Sequence, residues 1–239
     1  MVDTPIFYKE IVPLDRKRHQ SFRLKGEPAR YDFAAKSHVV PAIVDEFGMG
    51  GRTLPIVFLP GAKIPSAVFL LGMNPGDNRL ISRDGKWEET YVPAYLRRYP
   101  FIIGEIEGAD SIVCIDQSSE LFSTDTGQPL FDDGGEETAL LQDKIRFIND
   151  YLVAARRTED FVKVIAELDL FQTVTIDVQP AAQDRRVMHG LMMIDLNKFN
   201  ALPDADFLGL RQQGFIPMVY AHLASLANLD RFALHAQAA

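Results

Sequence analysis

One cysteine in 239 residues leaves no intramolecular disulfide to hold this chain together, and Cys114 sits in the apolar run Ser111 to Ile115, where a buried free thiol is expected. Basic charge is also scarce. With 25 Lys and Arg against 33 Asp and Glu, the net charge of -8 provides no basic stripe to exchange with phosphate counterions, so nucleic acid is excluded as a partner. The short basic run Arg16-Lys17-Arg18 reads as a solvated face. No apolar run approaches the roughly 20 residues needed to cross a bilayer, and the longest, Ala67 to Met73 and Ser111 to Ile115, have strand length. The N-terminus carries Asp3 where a signal peptide carries cations, and it lacks an apolar core. A cytoplasmic chain is therefore predicted, with export by a route that uses no cleaved signal as the alternative. The histidines (19, 38, 189, 222 and 235) are scattered, without metal-ligand spacing or a cysteine cluster, so neither metal nor cofactor is expected.

What is present is enough apolar material for one sizeable core: 47% of residues are hydrophobic and 24% charged, which predicts a single domain over residues 1–239. An extended N-terminal arm runs over residues 1–29. Ala42 to Phe47 is a short amphipathic segment ahead of the Gly48-Met49-Gly50-Gly51 turn. Leu54 to Leu59, Ala67 to Met73, Phe101 to Glu105 and Ser111 to Asp116 read as strands of one meander, the last two joined across Glu107-Gly108. After a polar loop whose Asp125, Asp132 and Asp133 suit turns, Glu137 to Leu168 has apolar residues three and four apart. It reads as two helices parted near Arg157-Thr158, with Thr158-Glu159-Asp160 as a cap for the second. Phe171 to Val178 and Val187 to Ile194 form a hairpin turning through Pro180 to Arg185. Two further helices follow, one from Pro203-Asp204 to Gly214 and one over Pro217 to Leu229. Strands and helices are segregated, so the expected fold is α+β, a mostly antiparallel sheet of about six strands with helices packed on it.

The densest stretch is Gly72 to Gly104, which holds the single tryptophan, three of the seven tyrosines and two adjacent arginines. Asp84-Gly85 predicts a tight hairpin, and Pro93 opens a short helix that Pro100 stops. Trp87, Tyr91, Tyr95, Arg97, Arg98 and Tyr99 are the candidate ligand-binding residues, with an arginine for a carboxylate or phosphate and rings for an apolar body. The competing reading is that the rings seal the core and the arginines pair with acids. Adjacent helical residues point about 100° apart, so one arginine is expected to face the main cavity and the other solvent or an acid. The alternative to binding is a hydrolase-like enzyme acting on a small molecule through the strand-end carboxylates Asp116 and Asp195. His222 and Ser225 make a Ser, His and Asp trio conceivable, but Ser225 lacks the strand, elbow and helix context of an exposed nucleophile.

The segments LPIVFL (54–59), FLLGMNPGDN (69–78), DGKWEETYVPAYLRRYPF (84–101), VCIDQSSELF (113–122), PLFDDGG (129–135), GLMMIDLNKFNALPD (190–204) and YAHLASLANL (220–229) resemble the SapC family of bacterial proteins. The resemblance extends over about residues 10 to 235 and implies a link to bacterial surface layers or the cell envelope. It supplies no catalytic residue set. The permease label given to some relatives conflicts with the lack of a spanning segment. Composition, segment pattern and resemblance together predict a non-catalytic binding protein for a small molecule, peptide or envelope component, with unknown partner and oligomeric state.

Overall fold

The computed structural model describes residues 5–26, 30–104, 111–178 and 186–230. In chain order its elements are β1 (Ile11–Pro13), β2 (Arg23–Leu24), β3 (Val39–Pro41), α1 (Phe47–Gly50), β4 (Ile56–Leu59), β5 (Ser66–Leu70), α2 (Ala94–Arg97), β6 (Phe101–Gly104), β7 (Ile112–Asp116), β8 (Phe122–Ser123), β9 (Gln128–Pro129), α3 (Ala139–Glu167), β10 (Phe171–Val178), β11 (Arg186–Ile194), α4 (Leu196–Asn200), α5 (Asp204–Gln212) and α6 (Ile216–Ser225). The fold is α+β, and the pairings between these strands are antiparallel. The expected turns at Glu107-Gly108 and Pro180 to Arg185, residues 27–29 of the arm, and His235 lie outside the described residues.

The strands form three sheets where one of about six strands was expected: β10-β11-β4-β5-β3, β1-β7-β6 and β8-β2-β9. The four apolar runs between residues 54 and 116 are thus split, β4 and β5 into one sheet and β6 and β7 into another. The division follows the cores that these strands serve. Val57, Phe58, Val68 and Phe69 belong to the main core, whereas Phe101 and Ile115 pack with Leu24, Leu130, Phe131, Leu141 and Ile148 in a second one. The extended N-terminal segment is tied into the sheets. Its β1 pairs with β7, Val12 opposite Ile115, and its β2 is the central strand of the smallest sheet.

The 29-residue α3 is continuous, correcting the expected break near Arg157-Thr158. At 1.5 Å per residue it is about 43 Å long, enough to serve both cores. Leu141 and Ile148 enter the second, and Tyr151, Ala154, Phe161, Val162 and Ile165 the main one. Thr158 has the chemistry of a cap but sits buried in mid-helix. Its hydroxyl donates to Ala154 O (2.7 Å) and accepts from Val44 N (2.9 Å), tying α3 to the 3-10 turn Val44–Glu46. Thr158→Val should leave that buried N–H unsatisfied and lower stability by about 1–3 kcal/mol in urea denaturation. The 3-10 turn runs into α1, so the Gly48 to Gly51 region is helical at its start rather than a turn. A Cβ on Gly50 would stand 2.5 Å from the Phe69 ring, so glycine permits this close packing.

The expected hairpins are present. Ile81 and Trp87 bridge across Asp84-Gly85, with Gly85 at φ +81°. In the β10-β11 pair, Val174 faces Leu191 and Ile176 faces Met188, so Thr175 opposes two residues, His189 and Gly190. This bulge, with Gly190 at φ +76°, lets Phe171 and Ile176 both be buried although they are five apart. β11 meets β4 only at Met192 opposite Phe58, and α6 packs against both strands beside this short pairing.

Candidate functional site

The six residues singled out between Trp87 and Tyr99 come together in two connected lobes. In the first, Glu46 is 4% exposed, and its Oε1 accepts from Ala94 N (2.6 Å) and Tyr91 OH (2.8 Å). Burial pushes its carboxyl above the ordinary value, against the pull of those hydrogen bonds and of the Arg97 charge. Arg97 donates through Nε to Val92 O (2.9 Å) and through Nη2 to Tyr91 OH (3.3 Å), with its guanidinium over the Tyr91 and Phe147 rings. Tyr91 therefore bridges Arg97 to Glu46. The Trp87 indole N–H closes the turn onto Tyr91 O (2.9 Å).

In the second lobe the guanidinium of Arg98 lies 3.9 Å from the Tyr95 ring centre, 4.6 Å from Tyr151 and 5.7 Å from Tyr8. Such contacts are each worth roughly 0.5–2 kcal/mol. Its Nε is buried without a hydrogen-bond partner among the described residues. Tyr99 stacks on Phe33 at 4.4 Å and donates to Asp116 Oδ2 (3.3 Å). Burial raises the hydroxyls of Tyr8, Tyr91, Tyr95, Tyr99 and Tyr151 above their ordinary value, so all five remain neutral donors at neutral pH. Both arginines are half-buried against rings, where one had been expected to turn to solvent or an acid. Glu46, Tyr8, Phe33, Phe147 and Tyr151 were not foreseen as members. The available signals were the acids Asp45-Glu46 in the amphipathic segment Ala42 to Phe47 and the apolar triplet Ile6-Phe7-Tyr8 in a polar arm.

The two strand-end carboxylates occupy structural positions. Asp116 is fully buried and accepts from Lys9 N (2.8 Å), Glu10 N (3.1 Å), Ser118 N (3.2 Å), Ser118 Oγ (2.7 Å) and Tyr99 OH. Burial acts to raise its pKa, but these donors outweigh that and hold the carboxyl below the ordinary value. Asp195 caps α4 through Asn197 N and Lys198 N. His222 and Ser225 are likewise committed to backbone. His222 Nδ1–H donates to Ile56 O (3.0 Å) and Nε2 accepts from Ile194 N (3.1 Å). Ser225 Oγ accepts from Ile56 N (3.0 Å) and donates to His222 O (2.6 Å). Helix α6 thus satisfies both polar groups of Ile56 that β4 does not use with β5. Burial lowers the His222 pKa to about 4.

A sizeable cavity lies among the described residues away from the Trp87 to Phe101 stretch, which was expected to border the main one. It is a cleft of about 570 Å³ where β1, β7, the Phe131 to Glu137 turn and the start of α3 meet. Leu14, Ile112, Val113, Phe131 and Ile145 give it an apolar floor, and Asp15, Glu136, Glu137, Gln142 and Arg16 a polar rim. Arg16 reaches Glu136 at 3.9 Å across open solvent, a weak pairing. The turn is fixed by Asp132 Oδ1, which accepts from Gly134 N and Glu136 N at 2.9 Å, in line with the turn-forming role expected of it. By contrast, the space touching Arg97 and Tyr99 is only about 10 Å³, scarcely room for a water.

The SapC family model matches residues 14–232, and the chain belongs to that family. Neither curated proteins nor solved structures gave a match. Among the described residues no helix is long and apolar enough to cross a membrane, and no group of three His, Cys, Asp or Glu side chains is placed to hold a metal ion.

Proposed function

We propose that this chain is a non-catalytic binding protein whose ligand, an apolar body carrying a positive charge, sits in the cleft between β1, β7 and α3. The observation that carries this reading is the cleft itself. Its volume of about 570 Å³ lies in the range of small-molecule sites, its floor is apolar, and its rim carries three carboxylates against one arginine. The four segments that form it are held by backbone pairing and by the Asp132 turn, so the site exists before a ligand arrives. Asp116, Asp195, His222 and Ser225 are engaged in holding backbone, which favours recognition over acid and base chemistry. The family resemblance supports a ligand from the cell envelope. In this reading the chain works in the cytoplasm; recovery at the cell surface on fractionation would replace that with export by a route using no cleaved signal.

Tryptamine, an aromatic body with an ammonium group, is a suitable probe, with indole-3-acetate as its charge-reversed control. Isothermal titration should show saturable binding of the first and weaker binding of the second. Ile145→Trp, which fills the floor, should abolish binding with the melting temperature retained. Glu136→Gln with Glu137→Gln should weaken it by about 1 kcal/mol, roughly fivefold. Equal binding of both probes, or binding untouched by Ile145→Trp, would refute the reading.

A further inference from the structure

The N-terminal segment from Pro5 to Glu10 lies across the Tyr95, Arg98 and Tyr99 lobe as a peptide lies in a recognition groove. Phe7 meets Phe33 and Tyr95 edge to face at 5.5 and 5.9 Å. Tyr8, only 5% exposed, packs on Tyr99 and under Arg98, and its hydroxyl donates to Phe101 O at 2.7 Å. The backbone is read as well. Tyr95 OH donates to Ile6 O, and the successive N–H groups of Lys9 and Glu10 share the Asp116 carboxylate. The Lys9 and Glu10 side chains are exposed, Glu10 accepting from Gln117 Nε2 at the surface, so the two aromatics and the backbone carry the buried part of the recognition.

Two observations mark the segment as an occupant of this surface. Phe7 has φ 78°, a left-handed conformation that bulky residues rarely adopt, so the docking surface imposes it. The family match begins at residue 14 and leaves Pro5 to Glu10 outside, while Phe33, Tyr95, Arg98, Tyr99 and Asp116 lie within it. We infer that these five residues form a peptide-recognition site, separate from the cleft, for an extended segment with two adjacent aromatics, and that Pro5 to Glu10 is its built-in, displaceable occupant. The site discriminates by the two ring pockets, and the carboxylate of Asp116 fixes the register of the bound backbone.

The test uses a fluorescent peptide of residues 5–11, Pro-Ile-Phe-Tyr-Lys-Glu-Ile, added to the full-length protein. In the wild type the resident segment competes. In the full-length Phe7→Ala/Tyr8→Ala double variant the ring pockets are emptied and only the resident backbone contacts compete, and apparent affinity should rise by about 10- to 100-fold, the factor expected when an open fraction of roughly 1–10% becomes most of the population. A peptide with both aromatics replaced by alanine should not bind. A folded double variant that fails to bind the peptide would overturn the inference. Should the variant not fold, hydrogen exchange of the wild type decides. Faster exchange at the Lys9 and Glu10 amides than at Cys114 and Ile115 supports a displaceable segment, and exchange at the same rate as β7 overturns it.

Discussion

Asp116→Ala is expected to lower the unfolding free energy by about 3 kcal/mol or more, because it strips the acceptor from three backbone N–H groups and two hydroxyls in a buried place. The loss should reach beyond one sheet. Asp116 anchors the segment leading into β1, ends β7 and holds Tyr99, so the Lys9 and Glu10 amides should lose exchange protection before the main core does. Asp116→Asn should be intermediate, since an amide offers one acceptor oxygen and turns a donor toward other donors. The pH dependence has a definite sign. A carboxyl held below its ordinary 3.8 contributes stability that is fully present above that value and is lost as pH falls through its folded pKa. The gap between wild type and Asp116→Ala in chemical denaturation should therefore be constant at neutral pH and close below about pH 4.

His222→Phe should be of similar size, with the same sign on acidification but a diagnostic window at higher pH. At neutral pH the substitution leaves Ile194 N–H and Ile56 C=O without their buried partners, costing about 3 kcal/mol, and loosens β4, β11 and α6 together. In the wild type, the unfolded chain binds a proton at His222 near 6.5 while the folded chain resists until about 4. Stability is therefore present above the unfolded value and falls as pH drops from 6.5 toward 4, by roughly 3 kcal/mol at about 1.4 kcal/mol per pH unit. The Phe variant should lack this portion of the slope. Glu46 works in the reverse sense, since burial raises its pKa and protonation on acidification favours the fold. It is present in both proteins and cancels in their difference. Parallel pH profiles for wild type and variant between 6.5 and 4 would show that His222 is not held neutral by its surroundings.

Local pattern made the Asp84-Gly85 hairpin, the β10 and β11 pair, helices α5 and α6 and the buried thiol legible, because each depends on neighbouring residues. Choices made over long range were not legible. Residues 11–13 pair with 114–116 across a hundred positions, and Phe101 and Ile115 serve a different core from Val57 and Phe69. Nothing in residues 54–116 alone shows that division. Arg156-Arg157-Thr158-Glu159 looks like a helix boundary, but the two arginines stay exposed while Thr158 turns inward to Val44, so α3 continues. The candidate site followed the same rule. The six residues from Trp87 to Tyr99 do converge, but Glu46, Tyr8 and Tyr151 reach them from distant segments. The cleft is assembled from residues 13–16, 112–113, 131–137 and 142–145, none with a motif of its own.

Recognition in that cleft is tested by mapping tryptamine onto the ¹⁵N-labelled protein by amide chemical-shift perturbation. Saturable shifts are expected at Leu14, Asp15, Val113, Glu136, Glu137 and Gln142, with the amides of Tyr95, Arg98 and Tyr99 unmoved. Shifts confined to Trp87 through Tyr99, or scattered without saturation over the surface, would contradict it.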